Sequence, residues 1–209
     1  MKQAHSRIKL LSVMEDKNIE YLDNFEAHLL EDMIRVCTSF GMLDGTLLES
    51  DDINAKWKEF APEYMADAVP NINDFPEAAI GWAGYVGLAV AKWWDEDWGR
   101  HHNAAYLSLH GERGFDDMDD HIMKDIIGYE PSSTEAGVIT KTIFCCTQKA
   151  IDAIRHENIE GQTAMAFHTF ARAARAMFKT GAAIELKREG YRYQKVRLEA
   201  PKTDNRFKS

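Results

Sequence analysis

The stretch that decides the fold runs from residue 78 to residue 94 and reads AAIGWAGYVGLAVAKWW. Its single charge is Lys92, and the acidic run 95–97 follows directly. A helix that spans a membrane needs about 20 apolar residues, so this stretch is too short to be one. A helix that is apolar all round belongs at the centre of a helical protein. We therefore expect it to be the buried central helix of a bundle.

Small residues line one side of this helix. On a helical wheel Gly81 and Gly84 fall with Leu88 and Ala91, and the tryptophan rings fall on the other side. A glycine costs a helix about 1 kcal/mol relative to alanine, so three glycines in one helix imply a close backbone contact. The neighbour that comes so close is either another helix or a ligand.

Helical periodicity extends over the rest of the chain. It predicts helices over 16–40, 51–68, 116–127, 132–157 and 162–189, with Ser132 and Glu135 forming a capping box. Residues 191–198 alternate in polarity but have no partner strand, which favours an extended tail. The expected fold is an all-α, single-domain bundle of about six helices over residues 1–190, with a basic C-terminal tail over 191–209.

Apolar stripes predict which side of each helix is buried. The first helix should end at Gly41, and His28 lies off its apolar stripe, as expected of a surface histidine. In the predicted helix 16–40 the stripe is Leu22, Phe25, Leu29, Met33, Val36 and Phe40. In the predicted helix 132–157 it is Ile139, Ile143, Cys146, Ala150 and Ile154, and in 162–189 it is Ala164, Phe167, Ala171, Ala174 and Phe178.

Charge is divided unevenly along the chain. Residues 1–169 hold 14 Lys and Arg against 30 Asp and Glu, a net charge of −16, whereas residues 170–209 hold 11 against 4, a net charge of +7. An acidic body repels nucleic acid and anionic membranes, so we expect neither as a partner. The basic end can instead pair with acidic patches of the same molecule or of a second copy, which favours a homo-oligomer or an acidic protein partner.

Cysteine content indicates a reducing compartment. Cys37, Cys145 and Cys146 form no C-x-x-C motif and have no histidine at zinc spacing. The adjacent pair would project about 100° apart on a helix, so these two thiols are poor partners for each other. We read the cysteines as small buried apolar residues and the protein as cytoplasmic.

Two acidic and histidine clusters are the candidate metal sites. The run 116–121 contains D-D-x-x-D, whose Asp116, Asp117 and Asp120, with His121, could hold a divalent metal. Asp97 and His101 stand four residues apart, a spacing that can share a transition metal on one helical face. The alternative for the first cluster is a helix start whose acidic residues complement the helix dipole, and for the second a solvated loop.

A cationic stripe and a tryptophan cluster are two further candidates. His168, Arg172, Arg175 and Lys179 share one side of the last long helix and could bind an anion or an acidic partner. The alternatives are a solvated face, or docking of the stripe onto acidic segment 95–97 or 116–120. The tryptophans of segment 93–98, which alternate with carboxylates, suit either a cation-binding platform or simple packing at a helix end.

Several common functional motifs are absent from the sequence. It contains no Walker A loop, no G-x-G-x-x-G, no G-x-S-x-G elbow and no H-E-x-x-H. The sequence therefore favours a binding or protein-interaction module that needs no cofactor. The alternative is a small metal-dependent hydrolase or phosphate-transfer enzyme that uses segment 95–121 and a divalent metal.

Overall fold

A computed structural model describes the backbone of residues 2–193 and the side chains of residues 17–193. Over these residues the chain forms six α-helices and no strand. They are α1 (Lys2–Ser39), α2 (Asp51–Asn71), α3 (Pro76–His101), α4 (Met118–His121), α5 (Thr134–His156) and α6 (Ala164–Arg188). The expected all-α, single-domain bundle is confirmed. Of the expected tail, residues 191–193 have no regular structure and residues 194–209 lie outside the described residues.

The centre of the bundle is the crossing of α3 and α6, where the two backbones touch. A Cβ atom added to Gly87 would lie 2.0 Å from the carbonyl oxygen of Phe178, and one added to Gly181 would lie 1.9 Å from that of Gly84. Only glycine fits at such distances, which explains why an otherwise apolar helix contains residues that weaken helices. The expected close backbone contact is confirmed, and the neighbour is α6.

The other long helices surround this crossing. The α5 helix lies over Gly81, whose added Cβ would meet the Thr147 side chain at 3.0 Å. The α2 helix stacks Trp57 on the Phe178 ring of α6, with the ring centroids 4.8 Å apart. The α1 helix packs on both α5 and α6. The core is therefore one continuous cluster shared by all five long helices.

Several predicted helix ends are displaced. The first helix begins at Lys2 rather than residue 16. The α2 helix continues through Pro70 to Asn71, where the Asn71 side-chain amide donates to the Asp67 carbonyl at 2.9 Å and secures the last turn. The cap of α5 is Ser133, not Ser132, because the Ser133 hydroxyl accepts from the Ala136 amide at 3.1 Å. The predicted helix 116–127 is present but is divided into a 3₁₀ turn, α4 and a π-helical turn (Ile122–Ile126).

The predicted buried side of α6 is wrong in its first two turns. Ala164 is exposed, and so is Phe167, because the helix begins beyond the edge of the core. Ala174 and Phe178 are buried as expected, and every residue in 180–186 is buried. A helix segment buried on all sides has no apolar period, so α6 shares the central position that the sequence suggested for α3 alone.

Candidate functional site

The two metal-candidate residues of α3 do not share a face. The backbone at Asp97 is not helical (φ −165°, ψ 83°), and its carboxylate accepts from the Arg100 amide at 3.0 Å. This kink separates Asp97 from His101, whose ring instead stacks on Trp93 with the centroids 5.7 Å apart. The neighbouring Trp94 indole donates to the Asp52 carboxylate at 3.2 Å. In this segment the tryptophans therefore contact residues of the protein itself.

The acidic run 116–121 is also engaged locally. The Asp117 carboxylate accepts from the Arg113 amide at 3.0 Å and closes the turn before α4, while Asp116 and Asp120 are exposed. His121 faces an acceptor at each ring nitrogen: the Asp125 carboxylate at 2.8 Å from Nδ1 and the Ser108 carbonyl at 3.2 Å from Nε2. Both ring nitrogens of His121 therefore lie against groups of the protein that are not among the other metal candidates.

The six metal candidates therefore do not converge on one point. Among the residues whose side chains are described, no group of three or more His, Cys, Asp or Glu lies in a metal-binding arrangement. A metal site needs several convergent ligands. The metal hypothesis stays a prediction, and nothing in the geometry of these residues adds to it.

The cationic stripe of α6 faces acidic residues of α1 and the α1–α2 connection. Arg172 and Arg175 bind the two carboxylate oxygens of buried Glu26 at 2.9 and 2.6 Å, and Lys179 binds Glu49 at 2.8 Å. His168 is exposed. The alternative that this stripe docks onto 95–97 or 116–120 is wrong, because its cations pair with Glu26 and Glu49 instead.

Arg175 and Lys179 also line a cleft of about 430 Å³ between α2 and α6, together with Asp51, Asn54, Trp57 and Lys58. An anion would meet several positive charges there. Two of those charges are already neutralised by Glu26 and Glu49, and Asp51 adds a further negative charge. The cleft is therefore a weaker anion site than the stripe suggested.

An exposed apolar surface lies at the start of α3. Two adjoining clefts of about 330 and 340 Å³ share Phe75, Ala78 and Trp82. Phe75 and Phe144 are 63% and 53% exposed, unusually high for such large apolar side chains. We call this surface the aromatic groove; its lining is Asn71, Phe75, Glu77, Ala78, Gly81, Trp82, Tyr85, Phe115, Asp116, Asp119, Thr140, Ile143, Phe144 and Thr147.

The floor of the aromatic groove is held in place by hydrogen bonds. The Trp82 indole donates to the Phe115 carbonyl at 2.7 Å, and its ring meets the Tyr85 ring edge-on with the centroids 6.0 Å apart. The Tyr85 and Thr140 hydroxyls are 3.3 Å apart. Burial, followed by the nearby charges of Asp119 and its neighbour, raises the pKa of Tyr85 to about 12, so its hydroxyl is neutral. The groove is thus preformed.

Every charged residue that lines the aromatic groove is acidic, within the described part of the chain. These residues are Glu77, Asp116 and Asp119. Burial, with a smaller contribution from the adjacent Asp120 charge, raises the pKa of Asp119. A carboxylate whose pKa is raised by burial is stabilised by a nearby cation, because the cation favours the charged form of the carboxylate. Aromatic faces beside carboxylates match a cationic group that carries apolar surface.

Sequence reasoning missed the main residues of this groove. Asp119 belongs to the acidic run, but it was not chosen because the D-D-x-x-D pattern skips it. Phe144 carries the one available signal: it lies next to Ile143, about 100° away from the buried stripe of α5, as a large apolar residue on a polar face. Trp82 was assigned from the sequence to the tryptophan side of the central helix, and Phe75 was not singled out.

Comparisons with known protein families, with characterised proteins and with solved structures found no match. No helix within residues 2–193 is long and apolar enough to cross a membrane.

Proposed function

We propose that this protein is a binding module whose aromatic groove takes a basic peptide segment that carries aromatic or other apolar side chains. The observation that carries the proposal is the pairing of two exposed phenylalanines with an entirely acidic charged lining. Exposed apolar patches on soluble proteins mark interaction sites. A lining of one charge sign selects a partner of the opposite sign.

The chemistry of recognition follows from the groove. A Lys or Arg side chain lying across Trp82 or Phe75 gains a cation–π contact of about 0.5–2 kcal/mol. Its charge also comes near Asp119, which is partly desolvated by burial. Apolar side chains of the same segment cover Phe75 and Phe144, and each ring removed from water contributes about 1.5–3 kcal/mol.

This proposal changes the kind of partner that the sequence suggested. The cationic stripe of α6 already binds Glu26 and Glu49, so an acidic partner would compete with internal ion pairs there. A basic partner at the aromatic groove meets no such competition from the groove lining. A second copy of the chain has a basic end and could supply such a segment, which would make the protein a homo-oligomer. Cytoplasmic residence is part of the proposal and rests on the free thiols of Cys37, Cys145 and Cys146.

A defined probe tests the proposal. The fluorescein-labelled peptide KFRKFRK is titrated with the full chain, and binding is followed by fluorescence anisotropy. Phe75→Ala and Phe144→Ala should each weaken binding about tenfold or more, because each removes a ring that is buried on binding. Phe167→Ala is the matched control, since Phe167 is 43% exposed on α6 and does not line the groove.

The charge requirement is tested with the peptide EFDEFDE, which keeps the phenylalanines and reverses the charge. It should not bind. Equal binding of both peptides, or equal affinity in the wild type and Phe75→Ala, would contradict the proposal. Circular dichroism of each variant checks that the helices are intact.

A further inference from the structure

We infer that the aromatic groove is occupied by the protein's own basic segment 194–209, which competes with an external basic partner. The inference rests on the proposed function, because it assumes that the groove binds basic segments. It adds the identity of one occupant and a limit on the partners that the groove accepts.

The composition of segment 194–209 matches the groove. It holds five Lys and Arg against two Asp and Glu, and its sequence includes Arg206-Phe207-Lys208. An aromatic residue between two cations complements a groove that sets Phe75, Trp82 and Phe144 among Glu77, Asp116 and Asp119. Charge complementarity and apolar content therefore agree.

The described end of the chain lies within reach of the groove. The Tyr191 hydroxyl donates to the Asp95 carboxylate at 2.9 Å, and the Tyr191 ring packs on Trp94, so the chain leaves the bundle near the end of α3. The groove lies at the start of α3, where Ala78 is one of its lining residues. Ala78 precedes Asp95 by 17 residues, and a helix of that length is about 26 Å long. A segment of 16 residues spans at most about 53 Å.

Reach also predicts which part of the segment binds. About eight extended residues cover 26 Å, so residues 194–201 serve as the connection and residues 202–209 reach the groove. We therefore expect Arg206, Phe207 and Lys208 to contribute to binding in the groove, and Lys195 and Arg197 not to. The two pairs of cations carry equal charge, which makes them a matched comparison.

Attachment to the same chain gives the segment an advantage over a free partner. Covalent attachment over a short length of chain produces an effective concentration in the millimolar range, so even a weak contact fills much of the groove. The apparent affinity for an external peptide falls by the fraction of molecules in which the groove is free. A natural partner must therefore bind more tightly than the segment 202–209, or displace it at high concentration.

The experiment compares two charge reversals in the full chain. Arg206→Glu with Lys208→Glu should raise affinity for the KFRKFRK peptide by about fivefold or more, because the groove is freed. Lys195→Glu with Arg197→Glu makes the same change of net charge and should alter the affinity by less than about twofold, an effect of overall charge alone. Phe207→Ala, which changes no charge, should raise affinity in the same direction as the first pair.

Three outcomes overturn the inference. Equal effects of the two charge reversals, or no effect of either, would show that segment 202–209 does not occupy the groove. A concentration-dependent dimer in sedimentation velocity, lost in the Arg206→Glu, Lys208→Glu variant, would assign the segment to the groove of a second copy instead. If the peptide binds and Phe75→Ala weakens it, the proposed function survives each of these outcomes; if no variant binds the peptide, the proposed function fails.

Discussion

Replacing Gly87 with alanine tests the α3–α6 crossing. The added methyl would lie 2.0 Å from the Phe178 carbonyl oxygen and 2.8 Å from the Ala182 amide nitrogen, so the helices must separate by about 1 Å to relieve the closest contact. Overpacking of a well-packed core costs about 1–3 kcal/mol, and backbone atoms cannot rotate away as side chains do. We expect Gly87→Ala to lower the free energy of unfolding by about 3 kcal/mol even though alanine is the better helix former.

The assay is thermal and urea unfolding followed by circular dichroism. For a domain of this size, a loss of about 3 kcal/mol lowers Tm by about 6–12 °C. Gly137→Ala is the matched control, because Gly137 is an exposed helical glycine with no atom within 4 Å of an added Cβ. It should raise stability by about 0.5–1 kcal/mol. A Gly87→Ala protein as stable as the control would refute the close crossing.

Three buried groups lead to further predictions. Burial raises the pKa of Glu185 from 4.5 to about 7, so the folded state holds the Glu185 proton more tightly than the unfolded state does. The free energy of unfolding should therefore fall by up to about 3 kcal/mol as pH rises from 4.5 to 7. Glu185→Gln should flatten this pH dependence in urea titrations. Glu26→Ala leaves the two partly solvated arginines of α6 without their shared carboxylate and should lower the free energy of unfolding by about 2 kcal/mol. Asp32→Ala, on the exposed side of α1, should lower it by less than about 1 kcal/mol. Equal losses of stability in the two variants would contradict the importance of burial. The Sγ atoms of Cys37 and Cys146 lie 3.6 Å apart, so diamide, which takes up the two thiol hydrogens, should form a disulfide between them and leave Cys145 unlinked. Peptide mass mapping identifies the linked cysteines. A disulfide through Cys145 would contradict the helix register.

The sequence predicted the architecture because its strongest signals are local. The glycines at 81, 84 and 87 in an apolar helix required a close neighbour, and such a neighbour is present. Periodicity placed the buried sides of α1 and α5, where Leu29, Met33 and Ile139 are buried as expected. These features depend on residues within one helix, which a single sequence displays directly.

Features that depend on pairs of helices could not be predicted in the same way. The Arg172 and Arg175 side chains were candidates for binding an anion or an acidic partner, with a solvated face as the alternative, but Glu26 was identified only when α6 was seen to pack on α1. The aromatic groove requires α3, α4 and α5 together, and no spacing within one helix relates Phe75 to Phe144 or Asp119. Phe167 was misplaced because the period of α6 carries no information about where the core ends.

The location of peptide binding is the most direct test of the central claim. The indole N–H signals of the full chain, labelled with ¹⁵N and assigned by single Trp→Phe variants, are followed by NMR while the KFRKFRK peptide is added. Binding in the aromatic groove predicts a saturable shift of the Trp82 signal, with Trp57, in the cleft beside Arg175 and Lys179, little changed. A larger shift at Trp57 than at Trp82, or no saturable shift at either, would contradict the claim.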